Sequence, residues 1–365
     1  NAVRLANALT KTRDVYFFEL DSEASHKKDQ LKLFNDSVKF CRPEKDFRFV
    51  IFQNLSRSRG IRRLLKLINY DIGISELKYW LVADFIRRHN ISVVNTHAPL
   101  SNAFFEKVKK RKQFKLVATL HGHYEVLKEE LGKEKYQKFV SKHLYAVDQF
   151  IYTTADQIKS LENFKVDEEK FSKVYYGFDF KPPQTEENKS KIQKCIIVSR
   201  GIREKGWEES IKAIIALNEK GYNLSLTIVG DGEEYDRLSH LEQRYSFLKF
   251  LGKRMDIPDI LQEHDIALLP TYYRAESFPN SIIEYLSFGL PVITTTIGAI
   301  PEMITFNGDM AGVTIKTSKG TPVQVEELSN VIQSYLDNPE KYASKRKLAQ
   351  KAALKFSIEI SVLEY

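Results

Sequence analysis

Only two cysteines occur in 365 residues, Cys41 and Cys195, too few for a disulfide framework and in no metal-ligand spacing. Cys195 opens the apolar run Cys195-Ile196-Ile197-Val198 and reads as core filler, with a reducing cytosol as the expected compartment. No apolar run approaches the roughly 20 residues that span a bilayer. The opening stretch, Asn1-Ala2-Val3-Arg4-Leu5-Ala6-Asn7-Ala8-Leu9, lacks the pattern of a signal peptide. It reads as an amphipathic helix already under way, with a segment expected before it. No Gly-x-Gly-x-x-Gly follows a strand, which argues against a nicotinamide-dependent dehydrogenase. The aromatic-basic pattern of an RNA-binding module is also missing, so nucleic acid is not an expected partner. There is no short repeat and no low-complexity segment.

What is present is a soluble globular composition, 42% hydrophobic and 28% charged, with a net charge of +8. That charge fits an anionic ligand, an anionic membrane surface or nucleic acid, and cannot separate them by itself. The length favours two domains over one core. In the first half, short apolar runs at 15–18, 49–52, 92–95, 116–120, 150–152 and 174–176 suit a buried parallel sheet. Helical patterns lie between them, as where Leu77, Trp80, Leu81 and Phe85 follow three-and-four spacing. The polar stretch 181–189 has no apolar periodicity and reads as a linker. Alternation then restarts, with strands at 195–199, 224–229, 247–251, 265–270 and 291–295, and helices starting at Trp207, Glu233, Ile257 and Pro279. Helices over 324–337 and 339–364 close the chain. The expected organisation is a first α/β domain over 1–182, a linker over 183–192, a second over 193–345, and a C-terminal helix over 346–365 returning to the first. Two doubly wound parallel sheets of this kind face a cleft and bind ligands at their strand C-terminal ends.

Several strand ends carry chemistry. Ser199-Arg200-Gly201-Ile202-Arg203-Glu204-Lys205-Gly206 sets cations and glycines in a short loop before a helix, which suits a diphosphate or, equally, a solvated loop. Gly230-Asp231-Gly232 is a second glycine turn after a strand, weak evidence by itself. Glu276 and Glu284 stand eight positions apart across the start of a helix. At about 1.5 Å per residue an all-helical span would separate them by about 12 Å, against about 5 Å for the carboxylates of a retaining glycosidase. They are placed to hold two ends of one long hydroxylated ligand, with a helix N-terminus between them for its negative charge. Glu284, at the edge of an apolar helix face, needs a partner such as a ribose diol. Glu276 fits a sugar hydroxyl or a salt bridge at the helix start. His121, after the strand at 116–120, points to the ligand side or serves as a capping and packing residue; His97 also follows a strand.

Arg200 with Lys205-Gly206, Gly230-Asp231-Gly232, Glu276 with Glu284, and Gly289-Leu290-Pro291-Val292-Ile293 together resemble family 4 of the retaining nucleotide-sugar glycosyltransferases. Gly298-Ala299-Ile300-Pro301-Glu302 and Thr119-Leu120-His121-Gly122 extend the resemblance over nearly the whole chain. It implies a GT-B fold, two Rossmann-like domains with the donor held by the second and the acceptor by the first. It further implies that His121, Arg200, Lys205 and Glu276 are the catalytic set. Arg200 and Lys205 would bind the diphosphate, Glu276 the transferred sugar, Glu284 the ribose, and His121 the sugar from the facing domain. Gly230, Asp231, Gly232, Arg254, Ser277, Phe278, Pro279 and Asn280 would complete the seat of a UDP- or GDP-linked donor. No cofactor or metal is implied, and no Asp-x-Asp follows a strand. The family pattern also has a first strand and glycine-rich loop ahead of Asn1, Gly where Ser277 stands, and Asn where Tyr176 stands.

The expected acceptor is a glycan or polyprenyl-linked glycan of a bacterial lipopolysaccharide O-antigen, capsule or exopolysaccharide. Two basic clusters, Arg57, Arg59, Arg62, Arg63 and Lys66, and Lys107, Lys109, Lys110, Arg111, Lys112 and Lys115, could dock a cytoplasmic enzyme on the anionic inner leaflet, or be solvated helix faces. A nucleotide-sugar epimerase on the same architecture would need an acid/base constellation that is not found. A glycogen-type phosphorylase would need a pyridoxal-phosphate lysine and a longer chain.

Overall fold

The computed structural model describes residues 2–19, 32–56, 70–121, 123–159, 161–179 and 192–365. The chain forms two compact units, Asn1–Gly177 with Ile358–Tyr365, and Phe178–Ser357. The first boundary therefore falls at 177/178 rather than 182. The chain re-enters the first unit at Ile358, not at 346. The expected linker lies, up to residue 191, outside the described residues. Among the described residues no helix is long and apolar enough to cross a membrane.

In the first unit, β3 (Val93–Thr96), β4 (Lys115–Thr119), β5 (Gln149–Tyr152) and β6 (Phe171–Lys173) form a parallel sheet in that order. Val94 pairs with Leu116 and Val117 with Gln149. Ile86, Val108, Leu116, Val147 and Phe150 are fully out of solvent in its core. A separate parallel pair joins β1 (Tyr16–Phe18) to β2 (Lys39–Cys41). The expected strand at 49–52 is instead part of the helix Phe47–Ser56. Asp46 decides this: its carboxylate accepts the Arg48 amide at 2.9 Å, a cap that outweighs the β preference of the apolar run. Burial agrees, since Phe49 is buried while Phe47, Val50 and Ile51 are exposed, one helical stripe in and one out. The expected strand at 174–176 lies three residues earlier, because Phe171 stacks on Phe150 with ring centroids 5.1 Å apart and sets the register. Residues 174–177 then leave the sheet.

The second unit holds six parallel strands: β7 (Lys194–Val198), β8 (Ser225–Val229), β9 (Leu248–Phe250), β10 (Ile266–Leu269), β11 (Val292–Thr295) and β14 (Gly312–Ile315). Their spatial order is β14-β11-β10-β7-β8-β9. Numbered from the start of the unit this is the doubly wound order 3-2-1-4-5-6 read from its other edge, whose switch point lies between β7 and β10. Every residue of β10 and β11 is buried, as helices on both faces require. The edge strand β14 was not expected, being short, glycine-led and preceded by a small hairpin of β12 (Thr305–Phe306) and β13 (Asp309–Met310). The expected single helix 339–364 breaks into Pro339–Ala353, a tight turn Leu354–Phe356 and Ile358–Glu364. The break coincides with the passage from one unit to the other.

Candidate active site

The loops that leave β7 and β8 are laced by backbone. The Gly201 amide donates to the Asp231 carbonyl at 2.6 Å, and the Glu234 amide to the Gly201 carbonyl at 2.8 Å. Gly230 sits at φ 146°, and a Cβ there would lie 1.8 Å from the Ser199 carbonyl oxygen, so only glycine lets the loops meet. Trp207, fully buried, closes the corner from below and donates its indole N–H to Ser199 Oγ at 2.8 Å. Asp231 and Gly232 are exposed beside this seam. The seam presents Arg200 at the surface, just past the C-terminal end of β7.

Across the switch point, the loop after β7 is tied to the loop after β10. Lys205 and Glu276, each 7% exposed, form an ion pair and hydrogen bond. Thr271, fully buried, donates to the same Glu276 Oε2 at 3.0 Å. The Tyr272 amide donates to the Glu204 carbonyl at 2.8 Å. Thr295 on β11 donates to the Thr271 carbonyl at 2.6 Å. The Tyr273 ring then gathers both cations: the Arg200 Cζ lies 5.4 Å and the Lys205 Nζ 5.3 Å from its centroid. Two positive groups converge at a strand end, one of them already paired with Glu276. Glu276 thus engages a lysine and a threonine here.

The segment after Glu276 is fixed next. The Ala299 amide donates to the Ser277 carbonyl at 2.9 Å, which brings the Gly298-Ala299 turn against this loop. Phe278 is buried edge-on to Phe356, with centroids 5.7 Å apart. Pro279 caps the helix Asn280–Ser287, and Asn280 is its first, exposed residue. Ile282, Ile283, Tyr285 and Leu286 form its fully buried face, leaving Glu284 partly exposed at the margin. Sequence reasoning missed Tyr285, whose hydroxyl accepts the Val198 amide at 2.6 Å and lies 3.2 Å from the Val198 carbonyl. It pins the Glu284 helix to the end of β7, two residues before Arg200. A tyrosine on an otherwise aliphatic face was the available signal, because a buried phenol needs a partner. Thr271 was likewise missed.

Arg254 does not join this cluster. It is exposed on the loop after the edge strand β9, and Asp256 takes its guanidinium in a bidentate pair, with Nε to Oδ1 at 2.8 Å. Among the described residues no group of three or more His, Cys, Asp or Glu is arranged to hold a metal.

In the first unit, His121 follows β4 and is sandwiched between His97 and Tyr176. Each ring centroid is 5.2 Å from that of His121, with interplanar angles of 25° and 27°. His97 Nδ1 lies 2.9 Å from His121 Nε2, and His121 Nδ1 bonds the Tyr176 hydroxyl. Burial raises the Tyr176 phenol above its ordinary range, so it remains a hydroxyl. The basic cluster at 57–66 and Gly122 lie outside the described residues. In the second cluster Lys107 and Lys110 pair with Glu106, Lys109 with Asp148 and Arg111 with Glu76. Phe105 beside them is buried in the core. Four of the six cations of that stretch are therefore engaged by carboxylates of their own unit.

Two family models divide the chain between them: glycosyltransferase family 4 matches residues 2–181, and glycosyl transferases group 1 matches residues 179–353. An N,N'-diacetylbacillosaminyl-diphospho-undecaprenol α-1,3-N-acetylgalactosaminyltransferase of Campylobacter jejuni is 25% identical over 90% of this chain and 92% of its own. An N-acetyl-α-D-glucosaminyl L-malate synthase of Bacillus anthracis is also 25% identical, over 64% of this chain and 63% of its own, just under two thirds of its length. Among solved structures, a glycosyltransferase of Rickettsia africae superposes with a TM-score of 0.71 at 18% identity, covering 99% of this chain and 91% of that one. Anabaena HepE in complex with UDP and glucose gives 0.67 at 16% identity, over 99% and 93%. Both similarities are of fold, and that fold is GT-B.

Proposed function

From the premise that the chain belongs to the group 1, family 4 glycosyltransferases, we propose that it transfers a sugar from a UDP- or GDP-linked donor to a glycan or lipid-linked acceptor. The observation that carries this reading is the pair of cations, Arg200 and Lys205, converging on Tyr273 beside Glu276 at the switch point. The C1–O bond to the diphosphate breaks with its electron pair on the phosphate oxygen. Arg200 and Lys205 stabilise that charge, and they are worth most because Lys205 is held out of water. Glu276 shares Lys205 with the incoming diphosphate and accepts a hydroxyl of the transferred sugar; Glu284 accepts from the ribose diol. The acceptor oxygen attacks C1 on the face that the diphosphate leaves, and its proton passes to the departing phosphate oxygen. Configuration is retained, with no protein nucleophile and no metal required. His121 contacts the sugar.

UDP is the favoured nucleotide because a structural neighbour binds it. A polyprenyl-diphosphate-linked glycan of a bacterial surface polysaccharide is the favoured acceptor, since the Campylobacter relative acts on an undecaprenol-linked one and aligns over 90% of this chain. The enzyme would then work at the inner face of the cytoplasmic membrane, with the 57–66 cluster as the better candidate for lipid contact. A melting panel with UDP, GDP, ADP and their sugars tests the donor site. A rise in melting temperature with one nucleotide, lost in Arg200→Ala, is expected; no response to any would overturn the reading. Anomeric proton NMR of the product tests retention, and an inverted product would refute it.

A further inference from the structure

A cavity in the first unit, at the C-terminal end of β4, is walled by residues that include His97, Thr119, His121, Tyr176, Ser361 and Tyr365. Ser361 lies on the last helix, Ile358–Glu364, and Tyr365 directly follows it. Ser361 Oγ donates to the Tyr175 carbonyl at 2.9 Å, a bond that spans 186 positions of sequence. The Tyr365 hydroxyl lies 3.0 Å from Thr119 Oγ1. Thr119 also bonds Asn95 Oδ1 at 2.9 Å, and Asn95 bonds the Tyr365 hydroxyl in turn, so the three side chains form one network. The helix lies flush on the 175–177 segment: a Cβ on Gly177 would come within 2.5 Å of Ile358 Cδ1 and 2.8 Å of its Cα. The last helix therefore fixes both pieces of chain that flank His121, the end of β4 and the Tyr176 backbone.

His121 is sensitive to where those two pieces stand, because it carries only one hydrogen when neutral and has a partner at each nitrogen. If Tyr176 donates to Nδ1, His121 carries its hydrogen on Nε2 and donates to His97. If Tyr176 turns its hydrogen away, to the Leu120 carbonyl 3.3 Å off or toward the Thr153 and Gln157 side chains that also bond it, His121 carries the hydrogen on Nδ1 and His97 becomes the donor. A small shift of the Tyr176 hydroxyl thus changes which face of the histidine offers a donor.

We propose that the helix Ile358–Glu364 is a positioning element for His121, with Ser361 and Tyr365 holding Tyr176 and the tip of β4 so that the ring keeps one orientation and one tautomer. Its role in catalysis rests on the proposed transferase reading; the coupling between helix and histidine does not. Tyr365, Ser361, Tyr176 and His97 are positioning residues, and His121 is the group that meets the sugar.

Ring-nitrogen NMR of the full chain labelled with ¹⁵N, with His121 assigned by His121→Gln, reads the tautomer without any substrate. One neutral tautomer is expected for His121 in the unaltered protein near neutral pH. Tyr365→Phe and Tyr176→Phe, which keep ring and packing, should each give a mixed or switched tautomer. In transfer assays both should lower kcat about ten-fold, the scale of one lost hydrogen bond, with the donor KM unchanged. Identical His121 signals in the unaltered protein and Tyr365→Phe would overturn the proposal, as would mixed tautomers before any substitution. Altered signals with unchanged kcat would refute the catalytic role. Altered signals in a protein that no nucleotide sugar stabilises would uphold the coupling and sink the transferase reading.

Discussion

Replacing Glu276 by Gln tests the junction between the two loops at the switch point. The side chains of Lys205 and Glu276 are only 9% and 8% exposed, so Glu276→Gln leaves an ammonium held away from water with no counter-charge. Removing one partner of such a pair costs about 3–5 kcal/mol. Gln keeps the size of the side chain and an acceptor for Thr271, which puts the expected loss near the lower end, about 3 kcal/mol. For a unit the size of Phe178–Ser357, each kcal/mol moves the melting temperature by about 2–4 °C, so a fall of roughly 6–12 °C is expected. Lys205→Met alone should also destabilise, whereas the double variant, with no charge left to compensate, should recover much of the loss. UDP returns an anion to Lys205 and should therefore stabilise Glu276→Gln more than the unaltered protein. Differential scanning calorimetry of the four proteins, with and without UDP, measures all of these. A Glu276→Gln protein that melts within about 2 °C of the original would refute the buried-pair argument. Strict additivity in the double variant would refute the coupling.

Gly230→Ala should lose about 4 kcal/mol or more in urea unfolding and abolish nucleotide binding, since its Cβ would overlap the Ser199 carbonyl at 1.8 Å; an unaltered midpoint refutes this. His264 is buried, with Nδ1 2.7 Å from the Ile260 carbonyl and Nε2 2.9 Å from Thr227 Oγ1, and burial lowers its pKa from the ordinary 6.5. The unfolded chain then binds the extra proton first, so this contribution is whole above about pH 6.5 and is lost as pH falls toward the folded value. Melting curves against pH should show that slope in the original protein and a shallower one in His264→Gln; equal slopes exclude His264 as the cause. Burial pushes both thiols, Cys41 and Cys195, up to about 12. Neither should react with a thiol reagent in the native protein, and both should on unfolding; a fast native thiol would refute the buried placement of that cysteine.

Much of the second unit was legible from its residues. Short apolar runs, each followed within a few residues by glycine or proline, have few solutions other than buried parallel strands, and all five expected strands are present. The cations, glycines and Glu276 of the site could be found for the same reason: they stand in the loops that leave strand ends, where the alternation itself points, while Glu284 lies on the helix Asn280–Ser287 that follows. Legibility failed where another contact overruled the apolar pattern. The local cap from Asp46 turned the run at 49–52 into a helix, and the cross-strand stack of Phe171 on Phe150 drew β6 three residues ahead of its expected place. It failed also at β14, a glycine-led strand whose central Val313 and Thr314 are only partly buried.

The sequence alone determined the fold class, the family and the identity of the residues at the strand ends, because each depends on short-range periodicity and on residue type. It could not say which side chains meet. That Lys205 reaches Glu276 across 71 positions, that Tyr285 pins the helix of Glu284 to β7, and that Tyr365 reaches Thr119 across 246 were decided by tertiary structure. A salt bridge or a phenol hydrogen bond forms only where packing has already removed water and fixed both partners, and no local pattern carries that information.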